Sequence, residues 1–332
     1  MENNEATASW SFLSIIDIFC YMITSMIRRM CVPAAIVLLA SAALASVQTT
    51  CHVPVTSPNG MAFDGANVWV ASGSGSVVAI NATTCAITYT VQIGGTPALT
   101  AFDGANVWVT DYTGNRVVKV DAASGGILNA YPVGAGPYGI VYDSHTKTIW
   151  IAISQGNPGE ILVMNLTDTE AWAISTPTPT PKYLMDNGTN VYATDGVLNL
   201  SWYSAKSKTL VGENSGMPAP ATGLAWDGAN VWVAGDGDIN DVISDTDYLI
   251  YYTSAQFPEC SYQSIAADHA GYLYLPCSTV PGVNTVQQFS ENRLTVTQTI
   301  TVPPDPVALI WANSQLWVSS QTGNMVTSLN VR

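Results

Sequence analysis

The amino-acid sequence predicts an all-β fold, a seven-bladed β-propeller whose blades are four-stranded antiparallel sheets. The first observation is an aromatic residue that returns about every 40 positions in a β-strand pattern: Trp69, Trp108, Trp150, Tyr192, Trp232, Tyr274 and Trp317. The second is an aspartate shortly before six of these seven residues: Asp64, Asp103, Asp143, Asp186, Asp227 and Asp268, with Ala312 in the seventh repeat. This period, with several short strands in each repeat, is typical of propellers.

The second repeat is the clearest example of the unit. Short apolar runs separated by Gly, Asn and Asp turns predict four strands in it, at 98–102, 107–110, 117–120 and 127–133. The inner runs are almost wholly apolar because neighbouring blades cover both of their faces. The aromatic series is therefore interpreted as packing between blades, with ligand stacking as the minor alternative.

The two ends of the chain are predicted to complete one blade together. The last repeat supplies three strands, at 307–311, 315–319 and 325–331. Residues 49–55 belong to no repeat, so we expect this N-terminal segment to be the fourth strand of the last blade. The propeller domain then spans residues 46–332.

Residues 1–45 do not fit the repeat and are predicted to be an export signal. Met26 opens a short basic segment, residues 32–45 form an apolar stretch, and Ala43-Leu44-Ala45 is a small-residue cleavage pattern. Cleavage after Ala45 would release a secreted protein, periplasmic or extracellular, and a true start at Met26 would make the signal an ordinary one. The alternative is a membrane anchor formed by residues 11–45.

Four cysteines follow the predicted signal, and an even number in an exported chain allows two disulfides. Cys260 and Cys277 flank the first two strands of the sixth repeat, where antiparallel pairing brings such points together, so this pair is favoured. Cys51 and Cys85 would then form the second pair. Their spacing does not resemble a zinc site.

The charge balance excludes two classes of partner. The formal net charge is −14 at pH 7, so there is no basic face for nucleic acid and no electrostatic docking on an anionic membrane is expected. Four Asn-x-Ser/Thr triplets occur, at Asn81, Asn165, Asn187 and Asn199. They would be glycosylated only in a eukaryotic secretory pathway, and Thr/Asn turns also generate such triplets by chance.

Residues 107–121 read Val-Trp-Val-Thr-Asp-Tyr-Thr-Gly-Asn-Arg-Val-Val-Lys-Val-Asp and resemble the YVTN-type propeller repeat. Residues 68–81 and 316–326 are similar but shorter. The resemblance implies an exported bacterial or archaeal seven-bladed propeller of the YVTN, YncE-like and virginiamycin-B-lyase-like group. The streptogramin lyases of that group use histidines and carboxylates with a magnesium ion. No such residue can be carried onto this chain, whose histidines are His52, His145 and His269.

An acidic segment at 235–247 departs from the repeat and is the candidate metal site. Asp236, Asp238, Asn240 and Asp241 come close to the alternating oxygen-ligand spacing of calcium loops. The segment lacks the closing Glu and the central Gly of such loops, so a solvated acidic loop is the alternative. The sequence offers calcium as a candidate cofactor and establishes none.

Binding is expected on the face that carries the links between blades and the turns between second and third strands. The candidates on this face are Asp111, Tyr112, Arg116, Glu160, Lys182 and Glu259. Single charges on loops usually serve solvation, which is the alternative for each. Lys182 is the only charge near the mouth of the central channel, because the inner strands are apolar or small.

These features favour a secreted, non-enzymatic binding or scaffold protein with a protein or glycan partner. One alternative is a metal-dependent lyase or lactone hydrolase on the loop face. Another is a self-assembling surface or filament subunit, because charged residues are only 10% of the chain and outer strands can pair with another copy.

Overall fold

The protein is an all-β β-propeller of four-stranded antiparallel blades. The structure is a computed structural model that describes residues 48–156, 159–167, 170–177, 180–217, 220–235, 238–243, 248–252, 264–278, 284–292 and 295–331. For 238–243 and 248–252 only the backbone is described. No helix within these ranges is long and apolar enough to cross a membrane.

The described strands group into seven four-stranded sheets. Sheet one holds β2 (Pro58–Phe63), β3 (Asn67–Ser72), β4 (Ser76–Asn81) and β5 (Ile87–Gln92); sheet two holds β6 (Pro97–Phe102), β7 (Asn106–Asp111), β8 (Arg116–Asp121) and β9 (Ile127–Pro132). Sheet three holds β10 (Pro137–Asp143), β11 (Thr148–Ile153), β12 (Glu160–Asn165) and β13 (Ala171–Ser175); sheet four holds β14 (Tyr183–Asp186), β15 (Asn190–Thr194), β16 (Asn199–Ser204) and β17 (Leu210–Ser215). Sheet five holds β18 (Ala221–Trp226), β19 (Asn230–Gly235), β20 (Asp238–Ile243) and β21 (Tyr248–Tyr252); sheet six holds β22 (Ala266–Ala267), β23 (Tyr272–Cys277), β24 (Thr285–Ser290) and β25 (Thr295–Thr301). Sheet seven holds β26 (Pro306–Ala312), β27 (Gln315–Ser320), β28 (Met325–Asn330) and β1 (Gln48–Pro54).

The two ends of the described chain meet in sheet seven. Strand β1 pairs antiparallel with β28, from Gln48 opposite Asn330 to Pro54 opposite Met325. This is the pairing that the sequence predicts for residues 49–55. The first strand of each sheet contacts the first strand of the next, and β26 contacts β2. The N-terminal strand thus covers an edge that β28 would otherwise expose.

Two faces follow from the antiparallel order of the strands. The turns between second and third strands and the links between sheets lie on one face, which we call the mouth face. The turns between first and second strands and those between third and fourth strands lie on the other, which we call the opposite face.

A hydrogen bond between a tryptophan and an aspartate recurs on the opposite face. The indole Nε1 donates to the aspartate Oδ2 in three sheets, Trp69 to Asp64 at 2.6 Å, Trp108 to Asp103 at 2.7 Å and Trp232 to Asp227 at 2.7 Å. In sheet two the other oxygen of Asp103 accepts the backbone N–H groups of Ala105 and Asn106. Burial pushes the pKa of Asp103 upward, but the hydrogen bonds from Trp108, Asn106 and Ala105 outweigh it and hold the pKa below its usual value.

Sheet seven lacks this interaction because Ala312 stands at the position of the aspartate. Trp317 is fully buried there, and its Nε1 has no hydrogen-bond partner among the described residues. The other six aromatic residues of the series are also buried, at 0–2% exposure. The series therefore packs between sheets, as the sequence predicts.

Two aspartates approach each other between sheets three and four. Asp143 is fully buried, and its carboxylate accepts the backbone N–H groups of His145 and Thr146. Burial, and then the nearby charge of Asp143, raises the pKa of Asp186 to about 6, although the backbone N–H of Gly188 and the proximity of His145 act in the lowering direction.

A disulfide joins the closing strand to the neighbouring sheet. Cys51 on β1 is bonded to Cys85, in the turn after β4, with a Cα–Cα distance of 5.4 Å, which confirms the less favoured of the two predicted pairs. Cys277 is also disulfide-bonded. Its predicted partner, Cys260, lies outside the described residues, so the Cys260–Cys277 pairing stays a prediction.

The orphaned indole of Trp317 provides a matched comparison with Trp108. Trp108→Phe leaves the buried Asp103 carboxylate without one of its donors, whereas Trp317→Phe removes a donor that has no acceptor. Since both changes delete the same ring atoms, we expect Trp108→Phe to lower the free energy of unfolding by about 2 kcal/mol more than Trp317→Phe. Urea unfolding of the two variants measures this difference, and equal losses would show that the hydrogen bond contributes nothing.

The raised pKa of Asp186 gives a pH dependence with a defined sign. The folded state binds the Asp186 proton more tightly than the unfolded chain, so its contribution is destabilising above about pH 6 and disappears as the pH falls toward 4. We expect Asp186→Asn to stabilise the protein by about 1–2 kcal/mol at pH 7, after allowance for solvent screening, and by much less at pH 4.5. Thermal unfolding at both pH values measures it. A gain at pH 7 from the control Asp121→Asn, at a partly exposed carboxylate whose pKa is lowered, or no gain from Asp186→Asn, would contradict the assignment.

The Cys51–Cys85 disulfide should act on the closing strand before any other part of the ring. Replacing both residues with Ser removes a crosslink of sequence separation 34, and we expect a loss of about 3 kcal/mol in unfolding free energy. Hydrogen exchange should accelerate first in Gln48–Pro54 and its partner strand Met325–Asn330. A uniform acceleration of hydrogen exchange over all sheets would show that the disulfide does not specifically stabilise this strand.

Candidate functional site

A cavity of about 240 Å³ lies where the first strands converge. Its lining comes from the beginnings of all seven sheets and includes Asn59, Met61, Leu99, Thr100, Tyr138, Ile140, Tyr183, Leu184, Thr222, Leu224, Ser264, Ile265, Val307 and Leu309. No lining residue carries a formal charge, and the polar groups are hydroxyls and one amide. The central channel therefore offers hydrogen-bond donors and acceptors within an apolar wall.

The channel is narrow because small residues let the first strands approach one another closely. A Cβ on Gly139 would lie 2.3 Å from the carbonyl oxygen of Lys182, and a Cβ on Gly60 would lie 2.9 Å from the Cα of Leu99. Any larger residue at these positions would push neighbouring first strands apart. Glycine at these contacts thus fixes the spacing of the strands that line the channel.

An irregular register turns side chains toward the channel at the start of several first strands. Register shifts follow Pro58, Pro97 and Pro137 in β2, β6 and β10. Proline is tolerated at the first residue of a strand, and a bulge re-aims the side chains beside it. Asn59 and Tyr138 come directly after two of these prolines and line the cavity.

Three tyrosines from adjacent sheets form an aromatic series at the channel mouth. The ring centroids of Tyr112 and Tyr138 are 6.1 Å apart with an interplanar angle of 89°, and those of Tyr138 and Tyr183 are 5.4 Å apart at 85°. Both are edge-to-face contacts, which aromatic rings favour. Gln155 donates from Nε2 to the Tyr112 hydroxyl at 2.6 Å. We call Tyr112, Tyr138, Tyr183 and Lys182 the mouth cluster.

Lys182 is the cation of the mouth cluster. Its Nζ lies 5.1 Å from the ring centroid of Tyr138 and 5.2 Å from that of Tyr183, within cation–π range of both. Among the described residues no carboxylate forms an ion pair with it. Burial lowers the pKa of Lys182 from its ordinary value. Burial, and then the neighbouring Tyr138, raises the pKa of Tyr183 well above 10, so this phenol is neutral at physiological pH.

Asp111 and Arg116, two of the predicted binding residues, hold the mouth-face turn of sheet two. Asp111 is fully buried and receives the Arg116 Nε at 2.9 Å. It also accepts the backbone N–H groups of Thr96, in the link from sheet one, and of Gly114, in the turn itself. This carboxylate has no exposed surface. It therefore holds two loops together and is not available to contact a ligand.

The remaining predicted residues are placed as follows. Glu160 begins β12 on the mouth face and is half-buried. Glu259 and Asp236 lie outside the described residues. Asp238, Asn240 and Asp241 lie in β20, paired with Gly235, Val233 and Trp232 of β19. The interpretation of residues 238–241 as part of a loop is therefore wrong. They continue the sheet because the run Ile239 to Ile243 extends the pairing with β19.

Calcium binding by that segment stays a prediction. Among the residues whose side chains are described, no group of three or more His, Cys, Asp or Glu is arranged to hold a metal ion.

Of the mouth cluster, Tyr112 and Lys182 are predicted from the sequence, and the structure places both on the mouth face; Tyr138 and Tyr183 are not predicted. Tyr138 follows Pro137 at the start of β10, and Tyr183 follows the link that leads into β14. Both stand near the start of a first strand, as Asn59 and Thr222 do in other sheets. The register shift that brings Tyr138 to the channel is visible only in the folded sheet. The sequence offers only the proline that opens β10 as a local signal.

Comparison with known proteins shows the fold. No known family profile matches the chain, and no curated protein matches it. A chain of Kuenenia stuttgartiensis hydrazine synthase aligns with a TM-score of 0.72 at 17% identity, over 83% of this chain and 96% of that one. The β-propeller domain of Cps50 (Swd1) from Myceliophteria thermophila aligns with 0.71 at 12%, over 86% and 100%. Virginiamycin B lyase from Staphylococcus aureus aligns with 0.71 at 13%, over 86% and 100%.

These proteins differ in function, and their sequence identity to this chain is low. The similarity therefore shows only that the chain shares their fold. Virginiamycin B lyase thus shares the β-propeller fold with this chain. The YVTN repeat assignment, the lyase or lactone hydrolase alternative and the self-assembling subunit stay hypotheses.

Proposed function

We propose that this protein is a secreted, non-enzymatic binding protein, built as one seven-bladed ring, that takes an acidic glycan at its channel mouth. The observation that carries the proposal is the mouth cluster. Three tyrosines and a lysine that has no ion-pair partner among the described residues converge above a channel of about 240 Å³ that is lined by hydroxyl, amide and apolar groups.

The ring closure is supported by the contacts between first strands. Each first strand contacts the next, and β26 returns to β2. With β1 completing sheet seven, seven sheets would share one axis and the mouth cluster would lie beside it. The rigid ring then presents side chains from three neighbouring sheets in fixed relative positions.

The ligand class is inferred from the chemistry of the cluster. Partly exposed tyrosine rings pack against the apolar faces of sugar rings, and their hydroxyls exchange hydrogen bonds with sugar hydroxyls. An ammonium without an ion-pair partner favours a carboxylate on the ligand. Lys182 is a local positive charge on a chain of net charge −14, so it also selects where an anionic group can approach.

Secretion is supported by two observations. The Cys51–Cys85 disulfide is compatible with an extracellular or periplasmic location. Residues 1–45 have the composition of an export signal with cleavage after Ala45.

The chain offers a matched control for a binding test. Lys182→Met keeps an unbranched side chain that is one heavy atom shorter and removes its charge. Lys208 also lies over an aromatic ring, that of Trp172 at 4.3 Å, but in a turn on the opposite face. We expect Lys182→Met to weaken binding to carboxylated glycans on an array about tenfold or more, and Lys208→Met to leave it unchanged.

Tyr138→Ala should weaken binding to carboxylated and neutral glycans alike, because it removes the stacking surface. Equal losses from the two lysine variants would contradict the site. Binding to protein fragments with no glycan signal would contradict the ligand class and favour a protein partner.

A further inference from the structure

The outermost strand of each sheet has one edge whose backbone N–H and C=O groups can pair with a strand of another chain. In five of the seven sheets a β-bulge interrupts this edge, because the outermost strand carries one extra residue. The extra residues are Thr88 in β5, Leu128 in β9, Val211 in β17, Thr297 in β25 and Thr50 in β1. A bulge bends and twists a strand, which hinders pairing with a further strand.

Strand β13, the outermost strand of sheet three, has no bulge. It pairs with β12 residue for residue, from Ser175 opposite Glu160 to Ala171 opposite Met164. Its sequence is Ala-Trp-Ala-Ile-Ser, so it contains neither a charged residue nor a proline, which are other common means of protecting an edge. All of its residues except Ile174 are exposed. β13 is therefore a regular, uncharged and open edge.

The hydrogen bonds at the ends of the β12–β13 pair show which backbone groups of β13 point outward. The Thr176 N–H donates to the carbonyl of Gly159 at one end, and the Asn165 N–H donates to the carbonyl of Glu170 at the other. Bonded and non-bonded pairs alternate along an antiparallel ladder, so the even-numbered residues of β13 bond to β12. The residues whose N–H and C=O groups point away from β12 are Ala171, Ala173 and Ser175.

These outward groups are complementary to those of a second copy of the strand. With a two-fold axis through Ala173, this residue lies opposite Ala173 of the second copy, and Ala171 lies opposite the second copy's Ser175. Each outward N–H then meets an outward C=O, as in the bonded pairs of an antiparallel ladder. No other strand is needed to satisfy the edge.

The side chains fit the same register. Trp172, which is 37% exposed, lies opposite Ile174 of the second copy, and aromatic–β-branched pairs of this kind stabilise neighbouring strands. Glu170 lies opposite Thr176, so this carboxylate does not face its own copy. The register therefore adds apolar contact without placing like charges opposite each other, although the chain has a net charge of −14.

We propose that β13 is a dimerisation edge, on which a second copy of this chain pairs antiparallel about a two-fold axis through Ala173. Sheet three and its copy then form one continuous sheet that is joined at β13. Because paired strands run in opposite directions, the mouth faces of the two copies point opposite ways. The contact is one strand of 5 residues on each copy, so the dimer is weak and depends on concentration. This interface is independent of the proposed glycan site.

Sedimentation velocity of the purified protein over a concentration series measures the association. We expect the weight-average mass to rise from that of a monomer toward that of a dimer. Ala173→Lys places two ammonium groups opposite each other on the axis and should raise the dissociation constant about tenfold or more. Ala130→Lys is the matched control, because Ala130 is also an exposed alanine on an outermost strand, the bulged β9. It should leave the association unchanged.

Cysteine crosslinking tests the register. The Cα atoms of a hydrogen-bonded pair are about 5.5 Å apart, a distance that a disulfide can span. Ala173→Cys should therefore give a covalent dimer on mild oxidation. Ser175→Cys, which faces Ala171 of the second copy, should not.

A protein that stays monomeric at every concentration would overturn the proposal. So would an association that Ala173→Lys and Ala130→Lys weaken equally, or a covalent dimer that forms as readily through Ser175→Cys as through Ala173→Cys. Strand β21 also pairs without a register shift. Association that survives Ala173→Lys and is lost on Ile250→Lys would assign the interface to β21 and count against β13. None of these measurements contains a glycan, so their failure leaves the test of the proposed function unaffected.

Discussion

A buried aromatic residue on the second strand of every sheet is the feature on which the packing of the blades depends, and in three sheets its indole donates to an aspartate at the end of the first strand. In those sheets the hydrogen bond fixes the turn between the first two strands; in sheet two the same carboxylate accepts both the Trp108 indole and the backbone of Ala105 and Asn106. The turn sets the register of the pair, and the register decides which residues face the neighbouring sheet. Since the aromatic ring fills the space between sheets, one Asp–Trp pair positions both a blade and its neighbour.

The shape of the channel follows from this packing. Large aromatic rings separate the second strands, while the first strands contact one another through small residues. Gly139 lets the backbone of its strand approach Lys182, and Gly60 lets that of its strand approach Leu99. The shifted register after the opening prolines then directs residues such as Asn59 and Tyr138 into the channel. The mouth cluster is therefore held by first strands that are themselves locked by their neighbours, which is how a rigid scaffold presents a binding surface on loops.

The sequence reveals the repeated part of this structure well. A period near 40 residues, the Asp-Gly-Ala-Asn turn and the valine-rich strands predict the four-stranded sheets and the β1–β28 pairing, because identical local rules act in each repeat. It reveals the site less well. Asp111 reads as an exposed acid in a loop, yet it is fully buried, because its partners Thr96 and Gly114 are recruited by folding from two separate loops. Asp238, Asn240 and Asp241 read as a loop since acidic residues are rare in strands, but pairing with β19 overrides that propensity.

The two faces differ in how far each blade departs from the repeat. On the opposite face the same carboxylate position recurs in six repeats, from Asp64 to Asp268, and three of these turns share the sequence Asp-Gly-Ala-Asn. On the mouth face each blade closes its second turn in its own way: Ser72 donates to the carbonyl of Thr56, Asp111 binds Arg116, and Asp195 binds Asn199. Loops that are free to differ can carry residues that the fold does not need, such as Lys182 in the link before β14, whose ammonium has no ion-pair partner among the described residues. Rigid scaffolds commonly carry their binding residues on loops that differ between repeats, while shared turns maintain the fold.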